Sequence, residues 1–328
     1  MPVQLGSESQ SRNLLSERFG EFLAIFPEES YPNVATRDAA TETLRRQTDL
    51  AAVIVLQQVS LLAQVFQEAW KTLPGRLASL ACSPPTATLV VIRTTDADRL
   101  LRNSRNTDAA LWRCLVEIAR AGLRVAVLTA QASQAVATIP ADPGTQNWLP
   151  GLLSSPPRRE LAWLLNELRL ARSSDLFGSI KSPADATAVF AGLWLLHGDA
   201  SASHRQSQSI EDEGRHRNGN FWHAIMHRQE PDYGNAKYWF RRVGQHPIFP
   251  ELACRADQLI QADGSETALC WRNKLGAPHR WDPFVFVDWC ESAASAAESS
   301  SVPLLRAIQF IEMFLLLRAS SRDAIGDL

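Results

Sequence analysis

The pattern of apolar and polar positions changes character along the chain. Residues 1–36 are polar and Ser/Glu-rich, apart from LLSERFGEFLAIF, whose spacing predicts a short amphipathic helix. NVATRD follows as a cap, and a helix is expected from Arg37 onward. LAAVIVLQQVSLLAQVFQEAW reads in two ways. Ala52–Leu56 is β-branched in its middle, as in a buried strand, and Leu61–Trp70 has helical spacing, yet the whole run also suits one long helix. TLVVIRT (88–94) and LRVAVLT (123–129) are short apolar runs of the buried-strand kind. Between them TDAALWRCLVEIARAG is amphipathic at helical period and stops at Gly122. Strand, helix and strand at this spacing predict a βαβ unit, so 37–131 reads as a small α/β domain, with a doubly wound sheet as one option. Residues 132–158 are rich in Pro, Ser and Gly, as in a linker, with Trp148 and Leu149 as local pins. From 159 to 328 the period is helical throughout. Leu161, Leu164, Leu165 and Leu168 share one helix face. The fold class expected is therefore α+β or α/β overall, with a small N-terminal α/β domain and an all-α C-terminal domain.

The helical part is built of hairpins. Ser182 is an N-cap with Pro183 in the first helical position, and Gly198 closes that helix. Asp199 caps a second, shorter helix. A helix over 219–229 follows, then a turn at Pro231, then a helix capped by Asp232 and closed by Gly244. Ala236, Trp239, Phe240 and Val243 fall on one face of it. Gly198-Asp199 and Pro231-Asp232 lie 33 residues apart, the period of a helix–turn–helix repeat. WDPFVFVDWCE starts another helix, with Asp282 as cap and Phe284 and Val287 inward.

PDYGNAKYWFRRV resembles the second helix of a tetratricopeptide or Sel1-type repeat, with Ala236 at the small packing position and Phe240 at the aromatic one. Ala191 and Ala224 match the small position of the first helix. The resemblance covers about 183–247. In its first copy Ser203 and Ser207 stand where Ala and an aromatic belong, and ELACRADQLIQA resembles a capping helix. Two repeats need flanking helices to close a core. HAIMHRQEPDYGNAKYWFRRVGQHP also resembles a stretch of uncharacterised bacterial and fungal proteins with an H-x-x-x-H-R-x-E…N-A-x-Y-W-F signature. That likeness carries no activity with it. The repeat resemblance implies a module that binds a protein partner or a small ligand.

Composition narrows the classes. A formal net charge of −2 gives no electrostatic footprint for nucleic acid or an anionic membrane. The segments RNGNFWHAIMHR and KYWFRR interleave cations with aromatics, but Glu211, Asp212, Glu213, Glu230 and Asp232 offset them. The most apolar run, VPLLRAIQFIEMFLLL, is interrupted by Arg306, Gln309 and Glu312, so no membrane span is expected. The N-terminal residues lack a basic segment followed by an apolar one, as a secretory signal needs. The five cysteines show no C-x-x-C spacing and read as reduced thiols of a cytoplasmic protein. Neither G-x-G-x-x-G nor G-x-x-x-x-G-K-[ST] occurs, so no phosphate cradle is offered. No Ser-His-Asp order or G-x-S-x-G elbow is present either.

The sharpest chemistry lies in the histidines, six of seven of which fall between His197 and His246. His223, His227 and Glu230 recur at i, i+4, i+7 on one helix face. Two imidazoles and a carboxylate so spaced can ligate one divalent metal. His246 is expected near the same end of the hairpin. The alternative for His223 and His227 is packing between helices with hydrogen bonds to Asn235, Tyr238 or backbone carbonyls. H-x-x-x-H also lacks the adjacent Glu of H-E-x-x-H, so the motif places no water-activating base. Glu312 projects from the apolar arc Leu304, Leu305, Ile308, Ile311, Leu315 and Leu316 of the last helix. It needs a cation, for which Arg228, Arg241, Arg242 or a histidine could serve, or a raised pKa. The candidate pocket is therefore His223, His227, Arg228, Glu230, Asn235, Tyr238, Arg242, His246 and Glu312. The favoured reading is an interaction or ligand-binding module. Its groove would run along the outward face of helix 219–229 and the 203–219 loop. The rival is an enzyme, with or without a divalent metal, whose polar pocket uses His223, His227 and Glu230, with Glu312 as an optional fourth group.

Overall fold

The computed structural model describes residues 14–27, 33–56, 61–82, 88–96, 108–129, 149–295 and 300–327. It divides into two compact units. One holds the chain up to Gln58 and again Pro84–Ala132; the other holds Val59–Ser83 and everything from Ser133.

The first unit is a five-stranded sheet in the order β1-β2-β4-β3-β5. LLSERFGEFLAIF is not a helix. It forms a hairpin, β1 (Leu14–Phe19) and β2 (Phe22–Pro27), paired antiparallel with Phe19 opposite Phe22. The reason is local: Gly20 sits at φ 60°, the left-handed value a two-residue hairpin turn demands. Alternation then sends Phe22, Ala24 and Phe26 to one face, where α1 (Val34–Arg46) contributes Ala40 and Leu44 to the same core. Asn33 caps α1, its side chain accepting from the Thr36 amide at 2.7 Å. The ambiguous run resolves into β3 (Leu50–Leu56), buried at every position as a central strand is, followed by α2 (Leu61–Thr72) and α3 (Gly75–Ala81). These two helices belong to the helical unit, although they fall within the 37–131 stretch read as one α/β domain.

The runs 88–94 and 123–129 are strands, β4 (Thr88–Arg93) and β5 (Arg124–Thr129), joined through α4 (Asp108–Arg120). They do not make a βαβ unit. β3 lies between them, antiparallel to β4 and parallel to β5. With three antiparallel neighbour pairs and one parallel pair, the sheet is not doubly wound.

The second unit is all-α. After α5 (Ala162–Leu170) and α6 (Ser173–Leu176) come two successive hairpins, α7 (Pro183–Leu196) with α8 (Ala200–Gln208) and α9 (Asn218–Gln229) with α10 (Tyr233–Val243). Their caps repeat. Asp199 accepts from the Ala202 amide and Asp232 from the Asn235 amide. Burial repeats with the same offset: Ala191 and Ala224 are buried in the first helices, Ser203 and Ser207 against Ala236 and Phe240 in the second. α11 (Phe249–Asp263), α12 (Glu266–Leu275), α13 (Pro283–Ala294) and the 24-residue α14 (Val302–Ile325) close the core. The end of the Pro/Ser-rich segment is tied down on this unit. Gly151 O accepts from the Gln229 and Gln309 amides, and Leu149 is buried; Trp148 lies outside the described residues.

α9 is the central rod: every residue from Asn218 to Gln229 is buried. No outward face of it exists to line a groove. Among the described residues, no helix is long and apolar enough to cross a membrane.

Candidate metal centre

His223 and His227 stand one turn apart on α9, with their rings stacked at 4.8 Å between centroids. α8 packs alongside and brings a third imidazole, His204, edge-on to both at 4.7 and 5.6 Å. Trp239 of α10 stacks on the far face of His223 at 4.0 Å. One ligating atom from each of His204, His223 and His227 lies within 4.8 Å of the others. Zinc at its usual nitrogen distance would draw such atoms to about 3.4 Å apart. His204 is half-buried, whereas His223 and His227 are buried, so the closure would fall to His204.

The polar accounting of this cluster is incomplete in one place. Both ring nitrogens of His223 are buried and, among the described residues, have no hydrogen-bond partner. A buried imidazole so placed forfeits hydrogen bonds it would make in water, at a cost of roughly 1–3 kcal/mol per group. Its neighbours offer no compensation by charge. Burial above all, then the facing His227 and His204, drives the His223 pKa down to about 3. His227 is lowered too, by burial, with Asp232 opposing and His204 reinforcing the shift. At neutral pH both rings are therefore uncharged, each with one N–H and one free lone pair, and that lone pair is what a metal ion requires.

Glu230 does not join the three. Its Oε2 stands 3.7 Å from His227 Nδ1, and Asp232 Oδ2 stands 4.0 Å from the same atom. Asn235 Nδ2 faces His227 Nε2 at 3.1 Å, a contact that an ion on that nitrogen would replace. The third imidazole is thus His204, which the i, i+4, i+7 reading of a single helix passed over. The repeat register held the signal for it: His204 adjoins Ser203, the packing position that turns α8 toward α9.

The remaining candidates scatter. Arg228 and Glu312 form a fully buried pair on the other side of α9, with Gln309 Oε1 accepting from Arg228 at 3.2 Å and the guanidinium over the Phe286 ring at 4.6 Å. Burial pushes the Glu312 carboxyl above its usual range, and the Arg228 charge works against that. Arg242 pairs with Glu211 and Asp212 and donates to the Tyr238 hydroxyl at 2.9 Å; Tyr238 itself is exposed. His246 does not approach the cluster. It sits at the opposite end of α9, its Nε2–H donating to Asn218 Oδ1 at 2.9 Å. Asn218 in turn donates to Asp185 and Asp323, and His216 Nδ1 reaches Asp323 at 2.7 Å. Helix geometry separates these ends: His223 and His227 lie about one and a half and two and a half turns along α9 from Asn218, its first residue.

The centre so defined is a tri-imidazole cluster between two consecutive helical hairpins. Compared with known proteins, the chain matches no protein-family model, no curated protein and no solved structure.

Proposed function

We propose that the helical unit is a ligand-binding module of tetratricopeptide-like hairpins in a cytoplasmic protein, and that it binds a divalent transition-metal ion through His204, His223 and His227. The observation that supports this most is the pair of buried nitrogens on His223 that find no partner among the described residues, set beside the imidazoles of His204 and His227. Nitrogen-only donors favour zinc, copper, nickel or cobalt over magnesium or calcium, which seek oxygen. The test is metal analysis and zinc titration of the purified chain. One ion per chain is expected, and His204→Ala and His227→Ala each lose it. Wild-type protein that takes up no zinc, or variants that bind it as well as wild type, would defeat the reading.

A protein-binding role is the second reading, and the recurring caps and burial of the two hairpins favour it. Since α9 is enclosed, its surface moves to α10, where Tyr238 is exposed beside Arg242. Tyr238→Ala would then weaken partner binding and leave zinc uptake intact.

A further inference from the structure

This inference rests on the metal-binding reading and concerns what the ion does next. Three imidazoles are neutral ligands, so a divalent ion held by them keeps its whole charge. Structural zinc sites are closed by a fourth protein ligand; sites with three keep a position for water or an outside molecule. Among the described residues, no carboxylate or thiolate shares the mutual reach of His204, His223 and His227. The neighbouring carboxylates Glu230 and Asp232 lie instead against Nδ1 of His227. At those distances they do not hydrogen-bond the ring and act on it through charge, which favours an Nδ1–H; Nε2, which faces the Asn235 amide at 3.1 Å, keeps the lone pair. Access is also uneven. His223 and His227 are buried under Trp239 and α10, while His204 is half-buried.

We infer that an ion in this centre keeps one coordination position open on the His204 side, and that this position takes a small anionic Lewis base from solution, of the carboxylate, phosphate or azide kind. The anion displaces bound water and partly neutralises the ion; no covalent chemistry is involved. Glu230 and Asp232 act as positioning residues for His227 and not as ligands.

Cobalt(II) in place of zinc, with the full-length chain, tests this by visible spectroscopy. The expected result is a d–d spectrum that shifts on adding sodium azide, saturably, and shifts likewise with acetate. Glu230→Gln should bind cobalt more weakly yet keep the azide response. A cobalt spectrum indifferent to azide would overturn the inference while leaving metal binding intact. So would an azide response that arises only in Glu230→Gln, since Glu230 would then be the closing ligand. Failure of the wild-type chain to take up cobalt or zinc would remove the metal-binding reading and this inference together.

Discussion

Gly192 on α7 and Gly234 on α10 give a paired test of the packing that positions the cluster. Replacing a helical glycine by alanine gains up to about 1 kcal/mol from backbone entropy alone. At Gly234 a new Cβ would meet no atom of the described residues within 4 Å, so the gain should survive, reduced by its place in the first turn. At Gly192 the Cβ would stand 2.4 Å from Cζ2 and 2.7 Å from Cε2 of Trp222. Carbon atoms rest about 3.5–4.0 Å apart, so the indole would have to retreat by about an ångström. Trp222 is fully buried on α9, with its Nε1 directed at Ser320 Oγ at 3.4 Å, and a rigid bicyclic ring has no flexible end to yield. Overpacking of this kind costs about 1–3 kcal/mol, and the rigidity of the ring argues for the upper end. Net of the backbone gain, Gly192→Ala should destabilise by about 2 kcal/mol, and Gly234→Ala should stabilise by a few tenths. Urea unfolding followed by far-ultraviolet circular dichroism reads both, with the two-unit chain fitted as two transitions if the probes separate them. Equal midpoints for the two variants, or a Gly192→Ala protein more stable than wild type, would refute the close approach of α7 to α9.

The other expectations concern charge and capping. Burial lowers His197 to about 4 and His246 to about 3, so below pH 6.5 the unfolded chain takes protons that the fold refuses. Stability should therefore hold above pH 6.5 and fall with acid, by up to about 1.4 kcal/mol per pH unit for each group, until the folded pKa is reached. Urea midpoints between pH 7 and 5 in EDTA should show the decline, and His197→Gln should flatten it by one proton; an unchanged slope would count against the burial of His197. Glu312→Leu strands the buried Arg228 and should cost about 3–5 kcal/mol, and adding Arg228→Met should recover most of it in a double-mutant cycle. Asp232→Ala removes the α10 cap and should cost about 1 kcal/mol in thermal unfolding. Glu230→Gln should weaken zinc affinity by less than about tenfold in a competition titration, since Oε2 stands 3.7 Å from His227 Nδ1, too far for the hydrogen bond whose loss costs more.

Much of the helical unit was fixed by local chemistry. Ser182, Asp199, Asp232 and Asp282 announce helix starts because a short side-chain oxygen satisfies free amides there, and each of them does so. Helical periodicity likewise located α9, α10 and α14, and the His223–His227 spacing marked a chemical site. Local signals misled where strand and helix look alike over a few residues. LLSERFGEFLAIF carries apolar residues that suit either period, and the left-handed turn at Gly20 together with pairing to β4 made it a hairpin. Strand order, and the interposing of β3 between β4 and β5, depends on long-range hydrogen bonding that no window of sequence contains. The same holds for the centre. One helix could nominate His223 and His227, but the choice of His204 over Glu230, the removal of His246 to the far end of α9 and the pairing of Glu312 with Arg228 required α8 and α14 to pack against that rod. Side-chain pattern follows from residues three and four apart, whereas convergence of three imidazoles follows from which helices touch, and only the folded chain sets that.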